Sequence, residues 1–143
     1  IEVPTTHRLR DEVSITVGDV SLGVIHLIGH TPGSLVVTFD DPNGHTHLFT
    51  GDCLFPGGIG LTVGRENFES LYRGVVEKIF DRYDDDTWIY PGHGDDTTLG
   101  RERPALDEWW ERGWCSGIPP DIADNRHLFV TCHTYGQTPR RLP

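Results

Sequence analysis

No run of about 18 uninterrupted apolar residues occurs anywhere in the 143-residue sequence, so nothing in it reads as a membrane span. Positive charge is scarce as well: 12 Lys and Arg face 22 Asp and Glu, and the net charge is −10. A nucleic-acid backbone needs a basic face, so this balance argues against nucleic acid as the main partner. Cysteine is sparse. Cys53, Cys115 and Cys132 are odd in number, far apart, and form no C-x-x-C. That pattern argues against a disulfide framework and for a reducing cytoplasm. No basic-then-apolar leader is visible, and the opening at Ile1 reads as a processing or truncation point. Repeats and low-complexity tracts are also missing. What is left is a length suited to one ordinary domain with a real core.

Eight histidines are present, and their placement carries the information. Alternating apolar residues predict strands over 13–17, 20–28, 34–39 and 45–50. The turn Asp40-Asp41-Pro42-Asn43-Gly44 joins the last two as a hairpin. A glycine-rich loop follows over 55–60. Phe68, Leu71, Val75, Val76, Ile79 and Phe80 then recur at helical spacing, with Asn67 as the expected N-cap. A short buried strand is expected over 87–90 and a helical segment over 99–112, with Pro104 starting its second part and Gly113 as C-cap. Residues 115–143 hold prolines 119, 120, 139 and 143 and read as an appended arm. The order predicts an α+β fold, a mixed sheet covered by helices on one face, whose other face must be buried by something.

Three predicted strands stop at glycine and are followed at once by a metal-competent side chain: Gly29-His30, Gly51-Asp52 and Gly92-His93. Strand ends on one edge would bring His30, Asp52 and His93 together. Neutral imidazole and carboxylate suit zinc, with iron or manganese as alternatives. Gly92 and Gly94 would let the turn aim His93 into such a site. Thr97 and Thr98 are expected to cap the helix that follows. Each strand end alone has an ordinary reading as a turn; the three together shift the balance.

The motifs "GHTPGS" at 29–34, "LFTGDCLF" at 48–55 and "YPGHGDDTTLGRERP" at 90–104 resemble the second half of the metallo-β-lactamase superfamily, in its glyoxalase II-like branch. The resemblance covers about residues 9 to 114. It implies half of an αββα sandwich over 1–114 with a two-metal site at one edge. His30 would bind the first metal, His93 the second, and Asp52 would bridge both as the catalytic carboxylate. The implied activity is hydrolysis of an ester, thioester or amide through a metal-bound hydroxide, in a chain too incomplete to act alone. A small-molecule substrate is implied, and the missing N-terminal half or a second copy would cover the open sheet face. The alternatives are a persulfide dioxygenase-like mono-iron enzyme and a non-catalytic assembly or dimerisation module.

The family's His-x-His-x-Asp-His run is not found. His45 and His47 follow the Asn43-Gly44 turn without an Asp-His beyond them and read as surface histidines. His26 lies within a strand, and His7 has no context. Where glyoxalase II enzymes hold glutathione with a basic and an aromatic residue, this chain has Leu61 and Val63, so no cation awaits a thiol cofactor's carboxylate. Residues 56–60 are expected to line the substrate site. Cys53 reads as packed beside the site rather than reactive.

Overall fold

The computed structural model describes residues 8–113; His7 and the expected arm, with His127, Cys132 and His133, lie outside them. The strands are β1 (Ser14–Val17), β2 (Val20–His26), β3 (Leu35–Asp40), β4 (Thr46–Gly51), β5 (Leu54–Phe55), β6 (Gly58–Ile59), β7 (Trp88–Pro91) and β8 (Thr97–Thr98). Six of them form one mixed sheet in the order β1-β2-β3-β4-β7-β8, and β5 and β6 form a separate hairpin. All neighbours in the large sheet are antiparallel except β4 and β7. A parallel pair needs a crossover, and helix α1 (Arg65–Val75) with the π-helical turn Val76–Phe80 supplies it. Two short helices, α2 (Leu99–Glu102) and α3 (Leu106–Arg112), follow, joined by a 3₁₀ turn that contains Pro104.

Period-two alternation sorts the sheet into two faces. Ile25, Val36, Leu48 and Ile89 point inward and are buried against Leu71, Val75, Ile79, Phe80, Leu99 and Trp109 of the helical layer. The opposite face carries rows of cross-strand partners. One row is Phe39, His47 and Trp88; the next is Val37, Phe49 and Tyr90. Their rings stack: His47 lies 5.9 Å from Phe39 and 5.6 Å from Tyr90, and Phe49 lies 5.2 Å from Tyr90. No helix of the described residues covers this face, and Phe49 is 47% exposed. The chain is thus the mixed sheet with helices on one side that its element order predicts.

Three local expectations are corrected. Helix α1 starts at Arg65, so Asn67 lies in its first turn, where its amide donates to Val63 O at 2.7 Å. The ion pair of Arg65 with Glu69, at 2.6 Å one turn on, stabilises that earlier start. Thr98 does occupy the N-cap position of α2, but neither it nor Thr97 caps the helix with a side-chain bond. Their backbone is committed to the ladder with residues 88–89, and the Thr97 hydroxyl, buried, donates to Glu102 instead. The loop over 55–60 contains the β5–β6 hairpin, which is too short for periodicity to show.

Candidate metal centre

Direction places the site. β2 is antiparallel to β3, and β3 to β4, so β2 and β4 run the same way; β7 is parallel to β4. The C-terminal ends of β2, β4 and β7 therefore share one edge of the sheet. His30, Asp52 and His93 follow these three ends.

The Nε2 atom of His30 lies 3.6 Å from Oδ2 of Asp52, and Nε2 of His93 lies 3.7 Å from Oδ1. Each imidazole thus addresses its own oxygen of a single carboxylate. Both gaps are too long for a direct hydrogen bond. They are close to the separation of two ligands on one tetrahedral zinc, about 3.3 Å for bonds of about 2.0–2.1 Å. Among the described residues no group of three or more His, Cys, Asp or Glu converges as a ready cage for a metal ion. The donors instead divide into two His–Asp pairs around one shared carboxylate. That geometry suits two ions with few ligands each from this chain, and it fits the residue types.

Local bonds orient the three side chains. His30 Nδ1 donates to the carbonyl of Leu61 at 2.8 Å; a carbonyl can only accept, so a proton sits on Nδ1, and in the neutral ring the Nε2 lone pair faces Asp52. Gly92 N donates to Gly51 O at 2.9 Å and ties the His93 loop to the Asp52 turn. A Cβ on Gly92 would stand 2.7 Å from Asp52 Oδ1, so only glycine leaves room for the carboxylate there. Gly94, with φ +84°, reverses the chain just beyond His93. The His93 ring packs on Phe55, centroids 4.8 Å apart.

Next to Asp52, Cys53 is only 1% exposed. Burial pushes its thiol up to about 11; the Ser34 hydroxyl opposes this and the Asp52 charge adds to it. It packs beside the site, as its sequence context predicts. His26, half-buried, has its Nε2 3.0 Å from Pro32 O. His45 is exposed, 3.5 Å from Asp86, and His47 bonds the Tyr90 hydroxyl on the open sheet face. None of these three joins the His30, Asp52, His93 group. Leu61 earned notice in the sequence for its side chain, yet its carbonyl does the orienting. Phe55 and Glu102 escaped the sequence reading because their roles depend on contacts across 38 and 45 positions.

No protein-family model matches the chain. Over 81 residues it is 40% identical to hydroxyacylglutathione hydrolase GloC of Haemophilus influenzae, a match covering 56% of this chain and 36% of that protein. It is 37% identical over 87 residues to the mitochondrial persulfide dioxygenase ETHE1 of Homo sapiens, covering 60% and 33%. Among solved structures, the BLEG-1 B3 metallo-β-lactamase superposes with a TM-score of 0.60 at 32% identity, covering 71% of this chain and 47% of that one. The chain spans less than half the length of the relatives it matches. By the order of its strands and by these likenesses, the chain belongs to the metallo-β-lactamase superfamily, in its glyoxalase II-like branch.

Proposed function

We propose that this chain contributes part of the active centre of a metal-dependent hydrolase that cleaves an ester, thioester or amide. The observation that carries the reading is the placement of two imidazoles on separate oxygens of Asp52. His30 would hold one ion, His93 a second, and Asp52 would lie between them. Bound zinc-class ions supply Lewis acidity toward a carbonyl and lower the pKa of water to make a nucleophile at neutral pH. The chain's own residues fix the donors: the Leu61 carbonyl sets the His30 tautomer, and the Gly92 amide holds the two loops at a common depth.

Two apolar side chains close in sequence to His30 and to its partner Leu61 are exposed. Ile28 is 48% and Val63 71% exposed. The one cation close by in sequence, Arg65, is paired with Glu69. A carboxylate-bearing thiol such as glutathione finds no cationic anchor at Leu61 or Val63, which favours esters or thioesters with an uncharged end. The relation to a hydroxyacylglutathione hydrolase supports the bond class rather than that leaving group.

Three donors are too few for two tightly held ions. The polypeptide equivalent to the relatives' unmatched length would supply the others, seated on the open face of Phe39, Phe49, Trp88 and Tyr90. The test is metal analysis and a thioester assay, first on the chain and then on the chain joined to that polypeptide. Alone, it should bind zinc weakly and turn over little. Joined, it should hold two zinc-class ions and hydrolyse, and His93→Ala should lose one ion.

The likeness to a persulfide dioxygenase favours a second reading, a mono-iron enzyme using only His30 and Asp52 of this chain. One iron per complex, unaffected by His93→Ala, would establish it instead. Absence of metal from both preparations would leave a non-catalytic assembly module.

A further inference from the structure

Glu102 lies in α2, outside the three strand ends, and its side chain is buried with both oxygens engaged. Oε2 accepts from Gly57 N at 2.7 Å, and Oε1 accepts from the Thr97 hydroxyl at 2.7 Å. Gly57 forms the tip of the β5–β6 hairpin with Pro56, and its carbonyl is held in turn by Arg112 at 2.8 Å. Phe55, just before that tip, is the ring against which His93 packs. Thr97 stands four residues beyond His93, where the chain returns to pair with β7. One carboxylate therefore joins the two segments that flank His93: the loop that carries it and the hairpin that supports its ring.

The need for such a tie follows from exposure. The His93 side chain is 64% exposed, whereas that of His30 is 22% exposed and has its Nδ1 bound to a carbonyl. Holding the loop and its ring contact in place beforehand reduces the conformational cost of binding a metal there.

We propose that Glu102 is a positioning residue for His93, acting through Thr97 on one side and through Gly57 and Phe55 on the other. This rests on the reading of His93 as a metal ligand. Loss of the tie weakens zinc at His93 and leaves His30 alone, because His30 takes its orientation from Leu61.

The test is imidazole ¹⁵N and ¹H NMR of the full 143-residue chain, titrated with zinc chloride. Glu102→Ala should lower the apparent zinc affinity read at His93 about tenfold or more, the range seen for groups that orient metal ligands. The affinity read at His30 should stay within about twofold, and Glu102→Gln should restore most of the loss, since its amide offers an acceptor to Gly57 N and a donor to Thr97. In the metal-free chain, Glu102→Ala should also remove the ring-current shift of His93 caused by Phe55. Should Glu102→Ala fail to fold, Phe55→Leu carries the same comparison. A folded Glu102→Ala or Phe55→Leu variant with unchanged zinc response at His93 overturns the proposal, as does an equal loss at His30. Silence of His93 to zinc in the unsubstituted chain defeats the metal reading instead, and the metal-free ring-current comparison then decides the positioning role by itself.

Discussion

Cys53 stands one position from the shared carboxylate, yet its chemistry is closed off by burial. With its thiol pushed up to about 11, the thiolate at pH 8 is about a hundredfold scarcer than for an ordinary thiol near 9. Iodoacetamide should therefore alkylate Cys53 at least that much more slowly in the folded chain than in urea, as read by peptide mass. The sign of the stability effect follows from the raised value. The contribution is complete below the unfolded value near 9 and is lost as pH rises toward 11. The urea midpoint should fall across that window, and Cys53→Ser should flatten the fall.

Between elements, the edge of the sheet is tied to the helical layer by two adjacent carboxylates, Glu12 with Arg82 at 3.1 Å and, more closely bonded, Asp11. Asp11, ahead of β1, accepts from His26 N at 2.8 Å and pairs with Lys78 of the π-helical turn, whose ammonium also donates to His26 O at 2.9 Å. Burial alone would raise the Asp11 carboxyl, but the bonds from Lys78 and from His26 N outweigh it and hold it below its usual value. A lowered value means stability that is present above the unfolded pKa near 3.9 and is lost as pH falls through the folded one. Asp11→Asn should cost about 0.5–1 kcal/mol at pH 7, a figure already reduced for solvent screening. The difference should close in urea titrations as pH falls below the ordinary carboxylate range and through the lowered folded value, vanishing once both forms are neutral. A gap that persists there would mean the bond geometry, not the charge, makes the tie.

On the scale of the whole molecule, one sheet carries a buried face and an aromatic face that no helix of the described residues covers. Large apolar patches of this kind mark interaction surfaces. Phe49→Ser, placed at its centre, should leave the inner core of Leu48 and Ile89 intact. It should reduce dye binding by the isolated chain and weaken association with the complementary polypeptide at least tenfold, measured by calorimetry. If self-association of the chain disappears instead, a second copy is the natural cover. Metal and hydrolysis would then have to be sought in that dimer.

Local pattern sufficed for much of this. Alternation, short apolar runs and a hairpin turn marked β1 to β4 and β7, helical spacing marked the run from Phe68 to Phe80, and three glycine-stopped strands singled out His30, Asp52 and His93, because each signal depends only on near neighbours in the chain. What the tertiary structure alone decided is everything set by strand direction and long-range contact. Three parallel-running ends met at one edge, two imidazoles took separate oxygens of Asp52, the Leu61 carbonyl bonded His30, the Phe55 ring packed on His93, and Glu102 joined Thr97 to Gly57. The β5–β6 hairpin and the strand role of Thr97 and Thr98 were likewise invisible locally, since two-residue strands exist only through the partners that accept their hydrogen bonds.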